Sequence, residues 1–327
     1  MDDHEGLGME RQGVVRAWRK VLEADPVSDH VNFFDAGGNS ILLVSFQQAL
    51  FEEFSFKIPV REIFANPTIA ALTARLQDPV APTSYRGPAG DDSLTLHCLP
   101  YAGCSARVYD GWRARLPASI RVEPLEFPGR GSRCTELPVS ALPALLEDLG
   151  HVVTAGGQGP YALFGHSFGA LIAYELARYL IASGHPAPKC LFVSGCRAPH
   201  LATPENPVFA RPDDDFKLRL AQIGGTPEEL LQNDELMDLY IPVIRADYTI
   251  LDNYRVTKRE PLPCSVVALY GSDDTDADEE SVASWEAYTQ GGFTLRRVTG
   301  DHFFLHSAED ELLAHVRALI TGGPVSA

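Results

Sequence analysis

Tyr161-Ala162-Leu163-Phe164-Gly165-His166-Ser167-Phe168-Gly169 joins a short apolar run to a helix-length stretch, 170–181, that carries Leu171, Ile172, Leu176 and Leu180. A bare Gly-x-Ser-x-Gly is weak evidence, because two abundant glycines flank many serines by accident. Its setting is stronger. A strand that turns at once into a helix leaves room only for small neighbours, lifts the serine hydroxyl above the sheet edge and aims the N–H of Phe168 at a developing oxyanion. Ser167 is therefore the candidate nucleophile, and the alternative is a structural turn.

A serine hydroxyl needs a base, and the base needs an acid to orient it; in this kind of fold they follow in the order serine, acid, histidine. His302, in Thr299-Gly300-Asp301-His302-Phe303-Phe304, lies in a glycine-containing loop after the last strand-like run. His306 is its rival, but it falls where a helix-forming stretch begins and reads as a core or solvated histidine. For the acid, Ala268-Leu269-Tyr270-Gly271-Ser272-Asp273-Asp274 ends a strand in an acidic loop. Asp274 is the choice and Asp273 the fallback; Asp276, Asp278, Glu279 and Glu280 read as a solvated charge run.

Working outward, apolar runs at 94–99, 161–164, 190–193 and 265–270 alternate with helical stretches, the pattern of a mostly parallel sheet covered by helices. Residues 94–322 are thus expected to form an α/β domain, with the elbow placed as in an α/β-hydrolase. Between His200 and Pro263 lies an insertion of helix formers, with Phe216, Leu218, Leu220 and Ile223 in one part and Leu236, Leu239, Tyr240, Val243, Ile244, Tyr248 and Leu251 in another. Gly224-Gly225-Thr226-Pro227 separates the two, and the insertion, about 201–262, reads either as ordinary helices packed on the sheet or, by resemblance to enzymes with an insertion after the elbow strand, as a lid over the nucleophile. Ahead of the hydrolase, residues 79–93 contain Pro79, Pro82, Gly87, Pro88 and Gly90 and support no apolar face, so they read as a linker. Residues 8–78 read as a small all-α four-helix domain, with helices near 10–22, 40–51 and 68–76.

Within that bundle, Phe33-Phe34-Asp35-Ala36-Gly37-Gly38-Asn39-Ser40-Ile41 sets a glycine-rich turn before an amphipathic helix. A phosphate ester on Ser40 would sit at free backbone N–H groups and the positive end of a helix dipole. On helix-start statistics alone a plain N-cap serine is the commoner reading. The motif, however, resembles that of peptidyl carrier proteins from nonribosomal peptide synthetases, over 14–76, with Phe64-Ala65-Asn66-Pro67-Thr68-Ile69 similar to that family's following flank. The resemblance implies 4′-phosphopantetheine on Ser40, its thiol holding substrate as a thioester.

Residues 94–320 resemble the thioesterases that accompany nonribosomal peptide and polyketide synthases, most closely the type II branch. The matching stretches are Leu99-Pro100-Tyr101-Ala102-Gly103, Phe127-Pro128-Gly129-Arg130, the elbow, Val193-Ser194-Gly195-Cys196-Arg197-Ala198-Pro199 and Gly300-Asp301-His302. The likeness implies an oxyanion hole from the N–H groups of Ala102 and Phe168. In type I members the acid follows the strand after the elbow, where this chain has Ser194, so the late Asp274 fits better. Cys104 stands where the family usually has another glycine, a departure that bears on the shape of the oxyanion loop. A carrier joined to a type II-like enzyme is a second departure.

A net charge of −17, from 44 acidic and 27 basic residues, argues against nucleic acid or an anionic membrane as partner. Six cysteines without a Cys-x-x-Cys pair indicate neither a metal site nor a disulfide framework. An acidic start and the lack of a long apolar stretch lead to an expected cytoplasmic location. The resemblances imply a thioesterase that releases a carrier-bound acyl or peptidyl chain by hydrolysis or cyclisation. They imply a phosphopantetheinyl transferase and upstream condensation and adenylation domains as partners, and we expect a monomer. Hydrolytic proofreading of misacylated carriers and a non-catalytic carrier-docking module are the alternatives.

Overall fold

A computed structural model describes residues 3–33, 36–37, 40–54, 58, 63, 66–77, 93–134, 136–157, 159–201, 211–223, 231, 234–256 and 260–321. The expected linker, except Ser93, falls outside these, as do Gly38, Asn39, much of the 55–65 stretch and the Gly224–Pro227 break of the insertion. The chain divides into two compact units, Met1–Arg86 with Leu220–Ile241, and Gly87–Arg219 with Pro242–Ala327. No helix of the described residues is long and apolar enough to cross a membrane.

In the first unit three helices, α1 (Asp3–Leu22), α2 (Ser40–Phe54) and α3 (Ile69–Gln77), surround one core. The expectation of four helices names no residues for the fourth, and three helices stand among the described residues before the expected linker. Trp18 meets Phe33 and Phe46 edge-on, at 5.4 and 6.0 Å, while Phe33 stacks on Phe46 at 5.0 Å. These rings, with Val14, Leu43, Leu50 and Leu72, are buried, so the apolar stripe of α1 has its counterpart. A bridge between Asn32 and Thr68 ties the loop before α2 to the start of α3.

The second unit holds a six-stranded, wholly parallel sheet of β1 (Leu94–Leu99), β2 (Ile120–Pro124), β3 (Tyr161–His166), β4 (Cys190–Ser194), β5 (Ser265–Gly271) and β6 (Phe293–Val298), in the order β2-β1-β3-β4-β5-β6. Parallel strands need helical crossovers, and these cover both faces. One face packs on α4 (Leu142–Ala155) and α5 (Phe168–Ala182), with Trp285 among them. The other packs on Trp112 and on α8 (Glu309–Thr321) through Leu312, Leu313 and Val316. The chain runs outward from β1 to β2 and returns to β3. The crevice at the carboxyl ends of β1 and β3 is therefore a topological switch point, the usual place for a site in an open α/β sheet.

The insertion contains α6 (Asp213–Ile223) and α7 (Asp234–Asn253), with Pro242 inside the latter. Phe216 and Leu220 are buried, but Leu218 is 65% exposed. It lies two residues from each of them, and positions two apart on a helix face different ways.

Candidate active site

Ser167 stands between β3 and α5 with φ +53° and ψ −119°. A non-glycine residue at positive φ stores about 1–3 kcal/mol of strain, held here by the packing around it. The two motif glycines provide that packing. A Cβ on Gly165 would lie 2.1 Å from the Gly169 carbonyl oxygen, and one on Gly169 would lie 2.3 Å from the carbonyl oxygen of Leu99. The elbow is therefore pressed directly against the loop that leaves β1.

The hydroxyl of Ser167 lies 3.1 Å from Nε2 of His302, and Nδ1 of His302 lies 2.8 Å from Oδ2 of Asp274. With the ring neutral, Nδ1–H donates to the carboxylate, and the bare Nε2 accepts the serine hydroxyl. The other oxygen of Asp274 accepts the amides of Asp276 and Ala277, both at 2.9 Å. Burial alone would raise this carboxyl, but the bond and charge of His302 and the two amides outweigh it and hold its pKa below the ordinary value. The carboxylate is thus ready-charged and fixed. Asp273 is exposed, and among the described residues its side chain meets the neighbouring Ser272 hydroxyl instead of the imidazole. His306 bonds the Tyr101 hydroxyl at 3.1 Å instead of the serine.

His166, which the sequence reading left without a role, lies fully buried behind the triad. Its Nε2 is 2.9 Å from the His302 carbonyl, which only accepts, so Nε2 carries the proton. Its Nδ1, 2.9 Å from the Ser194 hydroxyl, is then the acceptor. Burial, with the neighbouring His302 ring, pushes the His166 pKa down to about 3, so the ring is neutral at ordinary pH. Ser194 thus stands on the strand after the elbow and anchors His166. Gly195 follows at φ +55°, where a Cβ would sit 2.8 Å from that ring.

The loop after β1 turns at Tyr101-Ala102-Gly103-Cys104, closed by the Cys104 N–H to the Tyr101 carbonyl at 3.1 Å, with Gly103 at φ +75°. That is the glycine position of a type II turn. The amides of Ala102 and Phe168 have no hydrogen-bond acceptor among the described residues, as an oxyanion hole requires. Cys104 has an ordinary negative φ, so no glycine is needed there, and burial pushes its thiol up to about 11, away from reactivity.

In the first unit, Ser40 is the first residue of α2; its side chain, with those of Ile41 and Val44, is outside the described residues. The surroundings suit a phosphate ester. The first turn of α2 has no acidic residue, and Ala36 and Gly37 just before it are exposed, with open space around Gly37. The group, when attached, supplies a thiol that carries acyl chains as thioesters.

Residues 94–320 match the family described as "Thioesterase domain", and residues 12–76 the family described as "Phosphopantetheine attachment site". The chain is 37% identical over 230 residues to "Linear gramicidin dehydrogenase LgrE" of Brevibacillus parabrevis, covering 69% of this chain and 88% of that one. The dehydrogenase of that name stays with that protein. After β1 this chain has Leu99-Pro100-Tyr101-Ala102-Gly103, without the Gly-x-Gly-x-x-Gly turn that approaches a dinucleotide pyrophosphate. It is 36% identical over 242 residues to "Thioesterase PikA5" of Streptomyces venezuelae, covering 72% of this chain and 85% of that one. Among solved structures it resembles the "RedJ-Thioesterase from the Prodiginine biosynthetic pathway in Streptomyces coelicolor", at 36% identity and a TM-score of 0.67, over 75% of this chain and 98% of that one. An α/β-hydrolase thioesterase here follows a helical carrier domain for serine-linked phosphopantetheine, and its likeness to the thioesterases of synthetase pathways is consistent with release of carrier-bound intermediates. The chain belongs to the thioesterase family.

Proposed function

We propose that Ser40 bears the phosphopantetheine of this chain and that Ser167, His302 and Asp274 release the acyl or peptidyl group held there as a thioester. Ser167 Oγ attacks the thioester carbonyl while His302 Nε2 takes its proton; Asp274 holds the imidazolium, and the amides of Phe168 and Ala102 face the oxyanion. The C–S bond breaks, His302 returns the proton to the thiolate, and an ester on Ser167 remains. Water, or an amine or hydroxyl within the acyl chain, then gives up a proton to His302 and attacks that ester; the bond to Ser167 Oγ breaks, His302 returns the proton to Oγ, and an acid or a ring leaves. The observation that carries this reading is the hydrogen-bonded row from Ser167 through His302 to Asp274.

A second reading is proofreading of misacylated carriers, favoured because the RedJ likeness covers 98% of that chain but only 75% of this one. The match leaves little of that protein to correspond to a carrier. Under the first reading a phosphopantetheinyl transferase charges Ser40, condensation and adenylation domains supply the chain, and the protein acts as a cytoplasmic monomer. The test is intact-protein mass spectrometry of wild type and Ser167→Ala after loading with acyl-coenzyme A and a phosphopantetheinyl transferase. Wild type is expected to shed the acyl group and Ser167→Ala to keep it, with the product mass separating acid from ring. Equal loss from both would leave only a carrier-docking module with an idle hydrolase fold, and failure to load Ser40 would overturn the carrier assignment.

A further inference from the structure

Arg130 ends the Phe127-Pro128-Gly129-Arg130 stretch, and the triad does not use it. Its guanidinium is buried and holds Asp247 of α7 by two bonds, Nη1 to Oδ2 at 2.5 Å and Nη2 to Oδ1 at 2.7 Å. Asp247 is buried as well, and its Oδ2 also accepts the N–H of Gly103 at 2.8 Å. Burial alone would weaken the charge on Arg130, but Asp247 and then Glu126 outweigh it and raise its pKa. Desolvating such a pair is costly, and apolar side chains of similar volume often fill the same space without loss of stability. The arrangement therefore calls for a reason beyond packing.

Gly103 is gripped from one face of α7. Asp247 binds its N–H, and Ile244, one turn earlier, lies where a Cβ on Gly103 would be 2.7 Å from its Cγ1. The same turn carries Ala102. Its N–H shares a peptide plane with the Tyr101 carbonyl, and that carbonyl is held by Cys104 N–H. Fixing Gly103 and the turn bond therefore sets the direction of the Ala102 amide. On the other side Glu126 accepts the Ser105 hydroxyl at 2.6 Å and the Ala106 N–H at 3.0 Å, anchoring the loop as it leaves the turn.

We propose that the Arg130–Asp247 pair is a positioning device for the oxyanion hole: it locks the Tyr101–Cys104 turn so that the Ala102 amide faces the carbonyl oxygen held on Ser167. Because Asp247 rides on α7, a helix of the insertion, the aim of that amide depends on where this helix lies. Movement of α7 that draws Asp247 from Gly103 turns the hole off; its return turns the hole on. The inference rests on the reading that Ser167 attacks a thioester.

The test uses the full chain and a small acyl-pantetheine thioester. Asp247→Leu is expected to lower kcat about 100-fold, the loss seen when one oxyanion donor is removed, with KM changed less than about threefold. A boronic acid that forms a tetrahedral adduct on Ser167 should weaken by the same factor. Asp247→Asn, which keeps an acceptor for Gly103 N–H, should lose less than Asp247→Leu. Arg130→Met with Asp247→Leu replaces the pair by apolar groups and guards against simple unfolding. If this double variant melts like wild type and keeps wild-type kcat, the proposal is overturned. Amide exchange at Gly103 gives a readout apart from activity: it should speed up in Asp247→Leu, and unchanged protection would also overturn the proposal. Wild-type turnover with unaffected variants would sink this inference alone, whereas a wild-type chain that cleaves no thioester would sink the hydrolase reading and this one with it.

Discussion

Asp274 and Asp273 are adjacent and chemically alike, yet their surroundings give them different work. Asp274 bonds His302 and two backbone amides, whereas among the described residues the Asp273 side chain meets Ser272. Asp274→Asn should lower kcat on a pantetheine thioester by about 10⁴-fold through loss of the productive tautomer, and Asp273→Asn by less than about threefold. Steady-state kinetics on the two variants decide it, and the reverse order would move the acid to Asp273. His166 lies one step further back, bonded to the carbonyl of the proposed base. The ring has a folded pKa of about 3 against an ordinary 6.5, so between these values the unfolded chain takes up the proton first. The stability that goes with a neutral His166 is complete above pH 6.5. It is lost as pH falls below that value, by about 1.4 kcal/mol per pH unit for one such group. His166→Phe, which cannot titrate, should therefore show a shallower fall in melting temperature between pH 7.5 and pH 5 than wild type. Parallel slopes would mean that the folded ring protonates normally.

The strand-turn-helix of β3 and α5 owes its sharpness to backbone approaching backbone. Gly169→Ala puts a methyl group against the carbonyl oxygens of Leu99 and Pro100, at 2.3 and 2.5 Å, where no flexible side chain can give way. The loop after β1 must move, at a cost of about 1–3 kcal/mol or more. Thermal melting should record that loss, and activity should fall more than stability explains, because the displaced loop carries the Ala102 amide. A variant with wild-type melting and kinetics would show that the elbow and this loop are independent. The same close packing explains which elements the sequence disclosed. The four apolar runs read from it are β1, β3, β4 and β5, the interior strands, buried on both faces and therefore continuous in hydrophobicity. The edges β2 and β6, whose burial is incomplete along Ile120–Pro124 and Phe293–Val298, escaped that reading because Arg121, Glu123, Arg296 and Arg297 break the run. The chain order and loop positions of Ser167, Asp274 and His302 follow from the chemistry, which makes them legible as candidates, and the structure brings their side chains within hydrogen-bonding distance. The Arg130–Asp247–Gly103 contact was not legible, since its members are far apart in sequence and nothing local marks an aspartate on a helix as the partner of a loop amide. Ser194 and His166 escaped for the same reason, although both stood in motifs already singled out.

A carrier domain and a thioesterase domain in one polypeptide make the acyl donor and the acceptor share a tether. If residues 79–93, of which Ser93 alone is among the described residues, serve as the linker their composition predicts, a flexible chain of that length spans on the order of 20 Å, and more where prolines stiffen it. A tether of that length holds a linked group at an effective concentration on the order of millimolar, provided it reaches the site. Carrier-bound thioesters arriving from other molecules at about 1 μM face a concentration some thousandfold lower. Release of this chain's own cargo should therefore be first order, with a rate constant unchanged when the protein is diluted from about 10 to about 0.1 μM. Proofreading of separate carriers would instead slow in proportion to dilution. The measurement is single-turnover loss of a labelled acyl group from Ser40-loaded protein at several concentrations, repeated with Ser40→Ala enzyme added to loaded Ser167→Ala protein. Concentration-independent loss in the first case and linear dependence in the second support release in cis. If loading in cis gives no advantage and only the second reaction proceeds, the tethered domains do not serve each other, and the enzyme works on carriers belonging to other molecules.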